Sequence, residues 1–223
     1  MKLRYKVAAV LAIATLVAGT AAANSVLAKP EYMTASTDAA TIKPLAYVGD
    51  TLSGHTLRGI PDGMGAMRNA DGTITLLTVH EVPSYGAIGA LAKAADKGKP
   101  IQGTSITKLT LNKAGDRVLS ASDLVSSWSF YNYNTGQYQA SPVGAAPKTQ
   151  TLGMDNFISR FCSATLVQPG ALSFKDGSTT LGYDGAVFLS GEEDGDSGYG
   201  RGFAFDMDGN GINLPRMGLA SWE

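Results

Sequence analysis

The chain has 223 residues, with 18 Lys+Arg against 19 Asp+Glu and a formal net charge of −1, so it lacks the basic surplus that a nucleic-acid partner would require. With 27 glycines, 9 prolines and many Ser and Thr residues, the sequence is rich in turns. Its short β-leaning runs predict an all-β domain. The single cysteine, Cys162, excludes an internal disulfide and leaves a buried thiol, an intermolecular partner or a metal ligand.

Residues 1–23 read as a signal peptide. Lys2, Arg4 and Lys6 precede an apolar run from Val7 to Val17, and the small residues Ala21, Ala22 and Ala23 follow, with cleavage after Ala23 or as late as Ala28. The apolar run is shorter than the roughly 20 residues that cross a bilayer, so no stable membrane span is expected in the processed chain. This order predicts a secreted or periplasmic protein. Residues 24–41 are Ala, Ser and Thr rich without periodicity and read as a flexible lead-in to a domain over 42–223.

Residues 44–48 predict a first strand. The Gly-rich stretch 49–65 predicts a long loop whose notable side chains are His55, Arg58 and Asp62, each expected to bond nearby backbone. After the Asp71-Gly72 turn, Ile74, Leu76, Leu77 and Val79 form a run short enough for a buried strand over 74–81, which ends in His80 and Glu81. At that strand end Glu81 offers oxygen to a hard cation, and His80 a base or ligand, although a salt-bridged strand terminus accounts for the pair equally.

Residues 86–100 are the best helical stretch, interrupted by glycines. A period-two run over 104–112 and a turn at 113–116 predict a hairpin into 117–119. The aromatics between Trp128 and Gln150 are mixed with Asn, Gly and Pro and read as an exposed insertion.

Over 156–166 the chain brings Arg160 within two residues of Cys162, a spacing that favours a metal-binding thiolate. A strand over 185–191 then leads into Glu192, Glu193, Asp194 and Asp196, with Arg201 opening a second strand over 201–207. Carboxylates so close repel by roughly 1 kcal/mol per pair even in solvent, so a hard metal ion or an arginine belongs among them. A solvated acidic turn is the plainer reading. The run 206–211 begins like an EF-hand loop, but Met217 stands where the bidentate Glu would be, so 208–211 reads as a hairpin turn.

A strand ending in His80-Glu81, a segment around Cys162, and Ser190-Gly191-Glu192-Glu193 on a later strand together resemble secreted bacterial phosphatases of the PhoX type and their phytase-like relatives. The resemblance implies a β-propeller with an iron and calcium cluster at its central mouth. It implies Cys162 as the iron thiolate, Glu192 and Glu193 as cluster carboxylates and Glu81 as a further metal ligand. The run Gly-Gly-x-Thr-Pro-Trp-Gly that follows the family's cysteine is replaced here by Ser163, Ala164, Thr165 and Leu166. Blades of about 40 to 45 residues would make this chain the N-terminal part of a propeller, with the ring unclosed at Glu223.

Two functions are therefore expected. One is a metal-dependent hydrolase of a small-molecule phosphate ester, with calcium and iron as Lewis acids and Arg160 or Arg201 as catalytic residues gripping the phosphate. The other is a non-catalytic, calcium-stabilised propeller that binds an extracellular ligand.

Overall fold

A computed structural model describes residues 33–81, 104–132, 135–140, 160–193 and 201–214. The chain divides into two units, Met1–Ile42 and Lys43–Glu223. In the first, the described residues 33–42 carry no strand, and Ala39 N donates to Thr37 Oγ1 at 3.1 Å. All fourteen described strands lie in the second, and no described residue is helical, so the domain is all-β as its composition predicts. Accordingly no helix among the described residues is long and apolar enough to cross a membrane. The stretches read as a signal peptide and as a helix over 86–100 lie outside the described residues.

The first sheet is a four-stranded antiparallel meander of β3 (Ile60–Arg68), β4 (Ile74–Glu81), β5 (Thr104–Leu111) and β6 (Val118–Asp123), neighbours in chain order. Its turns follow from local chemistry. Asp71 accepts from the Thr73 amide at 2.9 Å and Gly72 takes φ +86°, a conformation a Cβ would strain, so the chain reverses between β3 and β4. A small hairpin of β1 (Thr51–Leu52) and β2 (His55–Thr56) precedes this sheet, turning through Ser53 at φ +51° and Gly54 at φ +82°.

The second sheet has six strands in the order β8-β7-β14-β13-β12-β9. They are β7 (Ser127–Asn132), β8 (Gln137–Gln139), β9 (Phe161–Val167), β12 (Val187–Glu192), β13 (Gly202–Phe205) and β14 (Asn210–Asn213). All neighbours are antiparallel except β14 and β7. Between β9 and β12 the chain makes a separate two-stranded hairpin, β10 (Leu172–Asp176) and β11 (Thr179–Tyr183).

Alternation along β4 sorts its side chains. Leu77 and Val79 face a core shared with Ile106, Phe130, Phe161, Phe188, Phe203 and Phe205. Each fully buried Phe contributes roughly 1.5–3 kcal/mol relative to exposure. Ile74 and Leu76 instead join a second cluster with Leu57, Leu109, Leu111 and Ala121.

Three local expectations need correction. Residues 44–48 are not a strand; Leu45 and Ala46 pack on the second cluster from an irregular segment. The predicted loop over 49–65 contains β1, β2 and the first two thirds of β3, whose glycines serve close packing rather than turns. The aromatics of 128–150 do not all sit on an exposed insertion. Phe130 is buried in β7, and Trp128 meets the Phe205 ring edge-on at 5.6 Å between centroids.

The feature that positions the site is the meeting of two edge strands, β3 and β9. A Cβ on Gly63 would stand 2.2 Å from the Ala164 backbone nitrogen, and one on Gly65 would stand 2.4 Å from Leu166 Cβ. Only bare glycine backbone lets the strands approach so closely.

A carboxylate and thiol cluster where two sheet edges meet

Three elements contribute one ligand-bearing side chain each. Register between β3 and β4 shifts between Pro61 and Met64, and the resulting bulge carries Asp62. Glu81 is the last residue of β4, and Cys162 is the second residue of β9, which crosses β3 at Gly63. One ligand atom of each residue lies within 4.8 Å of those of the other two, and all three side chains are partly buried.

Arg160, immediately before β9, donates from Nε to Glu193 Oε2 at 2.7 Å and from Nη2 to Glu193 Oε1 at 2.7 Å. It also lies 3.9 Å from Glu81 Oε2. The backbone pairs the same residues, since Glu193 N donates to Arg160 O at 2.8 Å.

The electrostatics follow from this crowding. Burial raises the Glu81 carboxyl above its ordinary range; Arg160 works against that rise, while Glu193 and Asp62 add to it. Burial also pushes the Cys162 thiol up to about 11, helped by its hydrogen bond to Asp62 and by the charges of Asp62, Glu193 and Glu81. At neutral pH Cys162 is therefore a thiol, and Arg160 two residues away does not ionise it. A cation placed among these groups would reverse the balance.

The predicted site residues divide into two sets. Glu81 and Cys162 come together with Asp62, and Arg160 lies beside Glu81 but pairs with Glu193, which was expected as a metal ligand and is outside that group. Glu192 and Arg201 form a pair of their own: Arg201 Nε donates at 2.6 Å and Nη2 at 2.8 Å to the carboxylate, and the Arg201 amide adds a third bond at 3.0 Å. Glu192 is 2% exposed, and the guanidinium carbon lies 5.5 Å from the Phe130 ring centroid and 5.6 Å from that of Phe203. Glu192 is outside the group formed by Asp62, Glu81 and Cys162.

Asp194 and Asp196 lie outside the described residues. Asp206 accepts from the amides of Asp208 and Asn210 at 3.0 and 2.8 Å and closes a turn on itself. Sequence reasoning assigned Asp62 to a loop, because residues 49–65 are dense in Gly and polar residues; only the bulge pairing brings it to Glu81.

Comparison with family models, with curated proteins and with solved structures finds no match for this chain. The site therefore rests on its own geometry.

His80 neighbours Glu81 in sequence but turns to the opposite face, directly across from Ser105. It is 2% exposed, and neither ring nitrogen has a partner in hydrogen-bond geometry. Burial, then the nearby charges of His55 and Arg58, lower its pKa to about 4, while Asp123 and the Arg58 carbonyl pull weakly the other way.

The folded chain thus binds fewer protons than the unfolded one from the ordinary value of 6.5 down to about 4. Stability is whole above the upper value and is lost as pH falls through this window, by about 3 kcal/mol from this ring. Urea unfolding at pH 7 and pH 4.5 checks this, and His80→Leu is expected to flatten the difference.

Proposed function

We propose that this chain is a secreted, metal-dependent hydrolase of phosphate esters, built on β-propeller blades behind a cleaved signal peptide. The observation that carries the reading is the convergence of Asp62, Glu81 and Cys162 from three separate strands within ligand distance of one another. The donor set fits a metal. Carboxylates suit calcium, and a thiolate beside them suits iron, whereas calcium alone has little use for sulfur.

Two meanders support the propeller reading. β3-β4-β5-β6 is a four-stranded antiparallel sheet, β9-β12-β13-β14 are four antiparallel neighbours within the six-stranded sheet, and β3 and β9 lie side by side. Four-stranded antiparallel sheets are the blades of propellers, whose first strands line a central channel. In this reading the cluster sits at that channel.

A bound metal supplies Lewis-acid polarisation of a phosphoryl oxygen and a water of lowered pKa. The chain's own groups hold and orient. Asp62, Glu81 and Cys162 would hold the cation. The Arg160 guanidinium, half-exposed and paired with Glu193, is the group at this site that would be shared with a phosphoryl oxygen.

Metal analysis of exported protein tests the reading, together with hydrolysis of p-nitrophenyl phosphate. Iron with calcium is expected, and Cys162→Ser is expected to remove the iron and lower hydrolysis at least roughly a hundredfold, as loss of a metal ligand does. Calcium alone, unchanged by Cys162→Ser, would leave the non-catalytic binding propeller as the better account.

A further inference from the structure

Among the described residues aspartate precedes glycine five times, at Asp62, Asp71, Asp176, Asp184 and Asp208. Glycine has no side chain to shield its amide, so at each step the glycine nitrogen is chemically able to attack the aspartate carboxyl. Closure needs a carboxyl that is not held elsewhere and an amide free to turn toward it. The fold withholds one or both at four of the five.

Asp62 lies half-buried in β3, and the Gly63 backbone is packed against Ala164 of β9. Asp71 accepts from the Thr73 amide at 2.9 Å and from Thr73 Oγ1 at 2.6 Å, and Gly72 N donates to Asn69 O at 2.9 Å. Asp184 Oδ1 accepts from Ser173 Oγ at 2.8 Å, and a Cβ on Gly185 would stand 2.7 Å from the Tyr183 ring. At Asp208 the next amide, Gly209 N, donates to Asp206 O at 3.4 Å, and a Cβ on Gly209 would stand 2.6 Å from Leu124 O.

Asp176 differs on each count. It ends β10 and pairs with Thr179, which leaves Gly177 and Ser178 as a two-residue turn with Gly177 at φ +60°. Asp176 and Gly177 are exposed, and nothing lies within 4 Å of where a Gly177 Cβ would stand. Among the described residues neither the Asp176 carboxylate nor the Gly177 amide has a hydrogen-bond partner. The tip is unclamped.

We propose that Asp176-Gly177 is a site of spontaneous backbone modification, at which aspartate converts to isoaspartate through a cyclic imide. The Gly177 nitrogen bonds to Asp176 Cγ, the C–OH bond of the protonated carboxyl breaks, and the hydroxyl leaves with the amide proton as water. Water then adds back to the imide. Opening at Cγ restores aspartate, whereas opening at the main-chain carbonyl carbon leaves the chain running through Cγ and one methylene longer. An extra main-chain carbon beside a two-residue turn no longer matches Asp176 to Thr179, so the tip loses its register. Because β10 and β11 are exposed almost throughout, the change stays local.

Prolonged incubation of the full chain in warm, mildly acidic buffer tests this, followed by peptide mapping with fragmentation that tells isoaspartate from aspartate. Isoaspartate at Asp176 is expected to exceed that at Asp62, Asp71, Asp184 or Asp208 by roughly tenfold or more, since those steps must first open locally. In urea the five are expected to converge. Asp176→Glu is expected to stop modification there, because the side chain is one methylene too long for the five-membered ring. Folded protein that modifies any of the other four as fast as Asp176 would overturn the proposal, and so would a folded chain inert at Asp176 when the urea control reacts there. The same ranking in urea would also overturn it, by placing the cause in the local sequence rather than in the turn.

Discussion

Alanine at Gly63 is expected to unfold the chain or to prise β9 away from β3. The added Cβ would stand 2.2 Å from the Ala164 amide nitrogen, 2.7 Å from Ala164 Cβ and 2.7 Å from the Cys162 carbonyl oxygen. Two of these three atoms are backbone, so no side-chain rotamer can relieve the clash, and a strand must move. Overpacking that forces backbone shifts costs about 1–3 kcal/mol and occasionally more, and this contact belongs at the upper end. Moving β9 also carries Cys162 away from Asp62 and Glu81. Gly63→Ala should therefore lower the urea midpoint. Unchanged stability would show that the two edges are not packed as described.

Breaking the other carboxylate–arginine pair is the second large effect. Glu192 is 2% exposed and draws three bonds from Arg201, whose guanidinium lies near the rings of Phe130 and Phe203. Arg201→Met leaves a buried carboxylate without its counter-ion, and such losses cost about 3–5 kcal/mol. Adding Glu192→Gln removes the stranded charge and is expected to recover a substantial part. The check is a double-mutant cycle of urea unfolding free energies, in which strong non-additivity marks the pair. Additive and small effects would mean that the pair is solvated. Arg160→Gln, by contrast, acts at a half-exposed pair and should cost much less stability than Arg201→Met.

These two pairs show how far adjacency in sequence can be taken. Glu192 and Glu193 look alike in the chain, as one acidic run. A strand sends successive side chains to opposite faces. Glu192 is therefore buried against the aromatic core with Arg201, while Glu193 meets Arg160 at the edge beside Glu81. His80 and Glu81 divide in the same way, one toward Ser105 and the other toward Cys162.

Period-two and short apolar runs were enough to read β4 over 74–81 and to place β5 within one residue of its end, because burial on one or both sheet faces writes itself directly into residue type. The all-β class and the hairpin after β5 were legible for the same local reason. What the sequence could not decide was which strands become neighbours. The glycines of β3 read as loop residues until β9 is laid across them, and so does Asp62 until the bulge opposite β4 re-aims it. Likewise, the spacing of Arg160 and Cys162 suggested an ionised thiol, but burial, aided by three carboxylates converging from elsewhere in the chain, raises its pKa. Local composition determines strands and turns, whereas a site assembled from three strands depends on long-range packing, and only the tertiary structure sets those distances and the burial that governs each charge.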